Sequence, residues 1–174
     1  MIEYLKNNLV QGFLVSPLKV PAKSWSLVPV FIVISAIIGF STNLLIFKPL
    51  LTNFSLALPF IVFIFPSLLE EAFFRGILIP VKTKRQNRKK KFLFMLLSTF
   101  AFVAWHPFNA LTFNSSAIPI FLDPWFLLIV AALGITCSYS YMVSRSIWVP
   151  VIIHWATVTV WVIFLGGRNL VLEL

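Results

Sequence analysis

Apolar residues are arranged in five long runs along the chain, separated by shorter polar segments. The runs cover residues 27–47, 54–80, 92–113, 124–143 and 147–165. Each is close to the roughly 20 residues that a helix needs to cross the hydrocarbon core of a bilayer. Helix is the expected structure there, because a backbone in lipid must satisfy its polar groups internally. The pattern therefore predicts an all-α, polytopic membrane bundle of about five transmembrane helices.

The N-terminal segment differs from these runs. It lacks the continuous apolar core and the small-residue cleavage site of a secretory signal. Ile2, Leu5, Leu9 and Phe13 recur at helical spacing, which favours a helix at the membrane interface, with a frayed terminus as the alternative. No repeat or second domain is visible, so we expect a single integral membrane domain over residues 1–174.

Composition narrows the class of protein further. Of the 174 residues, 60% are hydrophobic and only 11% charged, which excludes an ordinary water-soluble domain. Nineteen Phe and six Trp exclude a disordered chain. The net charge of +9 does not indicate nucleic acid, because the positive residues lie in short segments between apolar runs. The single cysteine, Cys137, allows no internal disulfide and is expected to pack in the core.

A basic segment indicates the orientation in the membrane. Residues 82–91 read KTKRQNRKKK and carry seven positive charges in ten positions. By the positive-inside rule this segment is cytoplasmic, and the N-terminus, one pair of spans earlier, lies on the same side. We therefore expect a multi-pass protein of the cell membrane, with the lipid bilayer as a partner and no nucleic acid.

Three charged residues interrupt the second apolar run. Glu70, Glu71 and Arg75 lie inside it, where an unpaired charge costs roughly 2.5–3.5 kcal/mol. Glu71 and Arg75 are four residues apart and share a helix face, so they can neutralise each other. Glu70 points about 100° away and is free to face a cavity. The alternative is an ionic cluster that only holds helices together.

The two histidines of the chain lie in other apolar runs. His106 is in the third run and His154 in the fifth. With Glu70 they can supply a general base, a water-positioning group and an oxyanion donor, or they can bind a divalent metal such as zinc. A lone histidine in a helix is more often a hydrogen-bonded packing residue than a catalyst, so the hypothesis depends on the three residues acting together.

Prolines lie close to each of these positions. Pro66 precedes Glu70 by four residues, and Pro150 precedes His154 by four. Pro107 follows His106 directly, and a residue before proline is biased away from helical geometry. We therefore expect His106 at a helix break, of the kind that lines cavities in membrane proteins.

The order of these residues resembles a known family. Residues 70–75 read EEAFFR and match EExxxR, and residues 102–106 read FVAWH and match FxxxH. The second histidine, His154, follows a Ser-Ile-Trp-x-Pro stretch. The pattern is similar to the CAAX protease and bacteriocin-processing family, also called the Abi or type II CAAX prenyl endopeptidase family. The motif-bearing core covers roughly residues 60–165.

The resemblance implies an intramembrane endopeptidase that acts on peptide or membrane-protein substrates. By position, Glu70 matches the glutamate that activates water, His106 its partner, and His154 the histidine that holds the oxyanion. Glu71 and Arg75 match the supporting acid and arginine. Family members have been described both as metalloproteases and as metal-free glutamate proteases. We expect no cofactor, with zinc or another divalent metal on Glu70, His106 and His154 as the alternative.

One position departs from the family pattern. The third motif is usually HxxxN or HxxxD, but the fourth residue after His154 is Val158. Thr157 and Thr159 flank it and can supply a hydroxyl, so we include Thr157 among the supporting residues, together with Phe102 of the second motif. Val158 favours a second hypothesis, a non-catalytic binding or immunity-type membrane protein on the same scaffold. A small transporter or proton relay is the third, although no inverted repeat supports it.

Overall fold

The computed structural model describes residues 2–50, 56–80 and 88–167, with side chains from 8–50, 56–80 and 89–167. Within these ranges every regular element is a helix, apart from one isolated backbone bridge between Lys48 and Leu165. The α-helices, in chain order, are α1 (Ile2–Leu14), α2 (Val28–Ser41), α3 (Leu58–Val62), α4 (Leu69–Glu71), α5 (Arg88–Thr112), α6 (Ile118–Phe121), α7 (Pro124–Ser144) and α8 (Trp148–Phe164).

The second apolar run forms an irregular helical stretch. Two π-helical turns, Phe63–Leu68 and Ala72–Ile77, lie before and after α4, and we call residues 58–77 the motif segment. The described residues also contain three short 3₁₀ turns, at Pro17–Lys19, Ala22–Trp25 and Ser115–Ala117.

The outer faces of the long helices are apolar. In the described part of the chain, three helices are long and apolar enough to cross a bilayer: Ala22–Ser41, Lys89–Thr112 and Pro124–Ser144. α8 is equally apolar but has 17 residues. Large apolar side chains on α2 and α5 are more than 40% exposed, among them Ile32, Val33, Ile37, Phe40, Phe92, Leu96 and Phe100. Water-soluble proteins rarely expose such large contiguous apolar patches, whereas lipid tails cover them in a membrane. The predicted all-α membrane bundle is therefore confirmed.

Orientation in the membrane stays a prediction. Of the basic segment 82–91, residues 82–87 lie outside the described residues, and residues 88–91 begin α5.

α7 and α8 form an antiparallel pair. The connection between Ser144 and Trp148 is short, and Cys137 Sγ near the end of α7 donates to the Pro150 carbonyl at the start of α8, 3.8 Å away. At the other end, the rings of Phe126 and Trp161 lie 5.5 Å apart. Cys137 is fully buried in this contact, as expected of a packing residue.

α5 is also antiparallel to α7. The hydroxyl oxygens of Ser98 and Ser138 are 3.5 Å apart near one end, and the rings of His106 and Phe126 are 5.8 Å apart near the other. Small polar side chains at such a contact let membrane helices approach closely. Because α5 and α8 each run antiparallel to α7, they run parallel to each other.

The helix is interrupted at Pro66. Phe65 has φ −121° and ψ 117°, which are not helical values, and Pro66 has no backbone N–H to donate. This bend lies within the motif segment, and Glu70 follows one turn later.

The break expected at His106 is wrong. α5 continues through Pro107 to Thr112. A proline inside a helix removes a single donor, the one that would have bonded to the Val103 carbonyl, and membrane helices re-satisfy such groups locally. His106 therefore has helical geometry and projects from a continuous helix.

α1 is folded against the end of the motif segment, so the frayed alternative is wrong. The buried Asn8 side chain donates from Nδ2 to the carbonyls of Gly76 at 2.8 Å and Ile79 at 2.9 Å. The backbone N–H of Ile147 donates to the Gly12 carbonyl at 2.9 Å. The last carbonyls of a helix have no partner within the helix and need donors from elsewhere. α1 provides such donors at the end of the motif segment.

We expect Asn8→Ala to destabilise the protein. Removing the amide leaves two buried carbonyls without that donor, which costs about 1–3 kcal/mol. The free energy of unfolding, measured by denaturant titration in detergent micelles with tryptophan fluorescence, checks this. Gln11→Ala, an exposed position on the same helix, is the matched control. Equal unfolding free energies for the two variants would contradict a stabilising role for Asn8.

Candidate active site

A cavity of about 1220 Å³ lies between α2, the motif segment, α5, α7 and α8. Most of its wall is apolar, and Glu70, His106 and His154 line it together. These three residues come from three different elements, so the fold brings the predicted carboxylate and both imidazoles to one space.

Glu70 is held at one oxygen only. Its Oε1 accepts a hydrogen bond from the indole Nε1 of Trp105 at 3.0 Å. Its Oε2 is buried and has no hydrogen-bond partner among the described residues. The indole therefore fixes the carboxylate while leaving the second oxygen with its acceptor capacity free.

His106 is fixed through its Nδ1 atom. Nδ1 lies 3.0 Å from the Phe102 carbonyl, one turn earlier on α5. A carbonyl oxygen only accepts, so Nδ1 carries the proton and the neutral ring keeps a lone pair on Nε2. The ring is also held edgewise by Phe121 and Phe126, at centroid distances of 5.1 and 5.8 Å.

Glu71 forms a buried ionic contact with two partners. Its Oε1 lies 3.0 Å from Arg75 Nη1 and 2.9 Å from His154 Nδ1, and the Glu71 and Arg75 side chains are 0% exposed. The Glu71–Arg75 pair predicted from helical spacing is thus confirmed. The contact with His154 is a long-range feature of the fold, and it leaves Nε2 of that ring as the nitrogen available to the cavity.

Arg75 extends this contact to α7. Its Nη2 donates to the Gly134 carbonyl at 3.2 Å, and its guanidinium lies 4.3 Å from the centre of the Phe102 ring, in cation–π geometry. A side chain at Gly134 would crowd this contact, because a Cβ there would lie 3.0 Å from Thr99 Cγ2. Glycine at position 134 therefore favours the close approach of α5, α7 and Arg75.

Phe102 lies at the centre of the aromatic packing around the site. It is 0% exposed, and its ring centre is 5.1 Å from that of His106, 5.5 Å from that of His154 and 5.4 Å from that of Phe74. All three contacts are edge-to-face, the arrangement that aromatic rings prefer. The first residue of the FxxxH motif thus orients both imidazoles.

The third motif offers no free donor at its usual position. Thr157 and Val158 both line the cavity. The Thr157 hydroxyl donates to the Ile153 carbonyl of its own helix at 2.8 Å, so its proton is already used. Thr159 has a buried hydroxyl without a partner among the described residues, but it does not line this cavity.

No assembled metal-ligand set is present among the described residues. Across these ranges, no group of three or more His, Cys, Asp or Glu side chains is placed to hold a metal ion. Glu70 Oε1 and Nδ1 of both histidines are engaged by protein atoms, which leaves Glu70 Oε2 and the two Nε2 atoms as the atoms that a metal would use. The expected cofactor-free site and the zinc alternative both stay predictions.

Two contributors to the site were not predicted from the sequence. Trp105 occupies a variable position of the FxxxH motif, where nothing distinguishes it from the other tryptophans of the chain. Gly134 had a usable signal, because a glycine in the middle of an apolar membrane helix often marks close helix packing.

We expect Arg75→Met to lower the free energy of unfolding of the protein. The substitution leaves the Glu71 carboxylate buried beside a partly compensating imidazole, and breaking a buried ion pair typically costs about 3–5 kcal/mol. Thermal and denaturant unfolding in detergent measure the loss. Lys23→Met removes an exposed cation and serves as the control. Similar stabilities for the two variants would show that the Glu71–Arg75 pair does not support the fold.

Comparison with known protein families identifies one match. Residues 52–160, which include every motif residue described above, match the family model Type II CAAX prenyl endopeptidase Rce1-like. Comparisons with curated proteins and with solved structures find no match. The match spans more than half of the chain and agrees with the geometry of the site. The chain belongs to the Rce1-like family of type II CAAX prenyl endopeptidases, a family of membrane proteases.

Proposed function

We propose that this protein is an intramembrane endopeptidase in which Glu70 activates the attacking water. The single observation that carries the proposal is the asymmetric fixation of Glu70. One carboxylate oxygen is held by the Trp105 indole, and the other is buried without a partner among the described residues, at a cavity shared with both histidines. A general base needs this combination of fixed position and free acceptor capacity.

In the proposed reaction, a water molecule donates one hydrogen bond to Glu70 Oε2 and one to His106 Nε2. Glu70 takes the proton as the water oxygen attacks the carbonyl carbon of the scissile peptide. A protonated Nε2 of His154, held at Nδ1 by Glu71, donates to the oxyanion that forms. Glu70 then passes the proton to the leaving amine nitrogen as the C–N bond breaks, so the carboxylate returns to its starting state.

The cavity supports a substrate with an apolar group. Its wall includes Phe31, Ile32 and Phe40 of α2 and Leu58 and Val62 of α3, none of which offers a hydrogen bond from its side chain. The family name refers to prenylated CAAX peptides. We extend this to a peptide or membrane-protein segment that carries a lipid group or an equally apolar stretch.

The basic segment 82–91 supports the proposal that the protein is multi-pass, with this segment and the N-terminus cytoplasmic.

A non-catalytic role on the same scaffold is the second candidate. It is favoured by Val158, which offers no donor, and by the Thr157 hydroxyl, whose proton is used within α8. The transporter hypothesis stays a prediction that solute flux in proteoliposomes would test.

We expect Glu70→Gln to abolish peptide cleavage and His106→Ala to reduce it by about 10²–10⁴-fold, because each removes a proton acceptor from the water site. Cleavage of a peptide library by the protein in liposomes, followed by mass spectrometry with and without chelator, measures this. Asp123→Asn is the control, since it makes the same carboxylate-to-amide change away from the cavity and keeps a good helix N-cap. Full cleavage by folded Glu70→Gln would overturn the protease proposal. If the wild-type protein cleaves no peptide and Glu70→Gln keeps the cellular phenotype of the wild type, the second candidate is favoured.

We expect Trp105→Phe to lower kcat by about ten- to a hundredfold with little change in KM. The substitution keeps the aromatic packing but removes the N–H that fixes Glu70, and a hydrogen bond to a charged group contributes about 1.5–3 kcal/mol. Steady-state kinetics on one cleaved library peptide test this. Trp125→Phe, at an exposed position, is the matched control. Equal kcat values for both variants would show that the indole does not position the carboxylate.

A further inference from the structure

The cavity contains few side chains that can donate a hydrogen bond to an oxyanion. Apart from the motif residues and indoles, its hydroxyl and amide side chains are those of Ser35, Asn109, Asn114 and Thr157. A reaction that develops negative charge on a carbonyl oxygen depends on such donors, and loss of one costs about 10²–10³-fold in rate. Which of these groups assists His154 decides whether the departure at Val158 is tolerated.

Two of the four are less suited to this role. The Thr157 hydroxyl donates to the Ile153 carbonyl at 2.8 Å, so its proton is used. Asn114 lies beyond the end of α5, further from His106, and its Oδ1 accepts from Ser116 Oγ at 2.8 Å.

The side-chain amide of Asn109 is available to donate, and it lies on α5, the helix that carries His106. It is half-buried and makes no hydrogen bond to any described residue through its side chain. Asn109 follows His106 by three residues on the continuous helix α5, so both side chains project from the same face. Ser35 lies on α2, which carries none of the motif residues.

Asn109 and Val158 both lie beyond the histidines toward the same end of the cavity. Because α5 and α8 run parallel, a step toward the C-terminus of either helix leads to that end. Asn109 lies about 4.5 Å beyond His106 by helical rise, and Val158 about 6 Å beyond His154. Phe126 of α7 contacts both His106 and Trp161, so His106 itself lies further toward this end than His154 does. A carboxamide on α5 thus faces the same end of the cavity as the third motif on α8.

We propose that the side-chain amide of Asn109 donates the hydrogen bond to the oxyanion that Val158 cannot give. The inference rests on the proposed protease function and adds a catalytic residue to it. The planar amide presents two N–H donors, so it can serve the oxyanion. The donor then comes from α5 instead of α8, at the same end of the cavity.

The experiment compares four proteins on the library peptide that the wild-type protein cleaves: wild type, Asn109→Ala, Asn114→Ala and the double variant Asn109→Ala with Val158→Asn. Asn109→Ala should lower kcat by about 10²–10³-fold with KM nearly unchanged, because the hydrogen bond forms only as charge develops. Asn114→Ala, the matched amide on the same cavity, should keep wild-type kcat. The double variant should recover kcat, because Val158→Asn restores an amide donor to the cavity from α8.

Each result has a defined meaning. Wild-type kcat in Asn109→Ala, with Glu70→Gln inactive, overturns the inference and leaves the protease function standing. Loss of kcat in Asn109→Ala with no recovery in the double variant assigns Asn109 to packing and also overturns it. Absence of any library cleavage by the wild-type protein removes the protease function itself, which the Glu70→Gln comparison distinguishes from failure of the inference alone.

Discussion

A single carboxylate oxygen, Oε1 of Glu71, fixes the arrangement on which the rest of the site depends. It binds Arg75 within the motif segment and His154 on α8, and Arg75 in turn binds the Gly134 carbonyl on α7. An unpaired buried charge raises the free energy of the folded state by several kcal/mol. Removing any one of these groups would therefore leave another buried group without its partner. Three elements are held together in this way, and the same contact determines which nitrogen of His154 faces the cavity.

The two adjacent glutamates have different surroundings because a helix turns by about 100° per residue. Glu71 points into the bundle, where its Oε1 contacts Arg75 and His154, whereas Glu70 lines the cavity and accepts a hydrogen bond from Trp105. Oε2 of each carboxylate has no partner among the described residues, so exposure to the cavity is what distinguishes Glu70. A structural carboxylate and the proposed general base are thereby placed on neighbouring residues without sharing a partner. Each glutamate accepts a hydrogen bond from one fixed donor, Glu70 from Trp105 and Glu71 from Arg75. The neutral N–H of Trp105 orients the Glu70 carboxylate without cancelling the charge of that carboxylate.

Local rules predicted much of this arrangement. Apolar run lengths predicted the helices, and helical spacing predicted both the Glu71–Arg75 pair and the separate direction of Glu70. Contacts between distant parts of the chain were not accessible in the same way, because His154 is 83 residues from Glu71 and Trp105 is 35 residues from Glu70. The continuous helix at Pro107 was missed for a related reason. A local preference against helix was outweighed by packing on α7, which no local pattern records.

The apolar wall and the few polar groups of the cavity depend on each other. A wall that accommodates an apolar substrate also excludes bulk water, so the water proposed to react must be held by Glu70 and His106 and cannot simply be supplied by solvent. In such surroundings each hydrogen bond is electrostatically stronger than it would be in water, because little solvent screens it. A small number of fixed donors and acceptors is then sufficient for the proposed chemistry, provided that each lies at the correct level of the bundle. Parallel helices present side chains to the same end of the cavity from more than one position in the sequence, and the proposed role of Asn109 depends on this property.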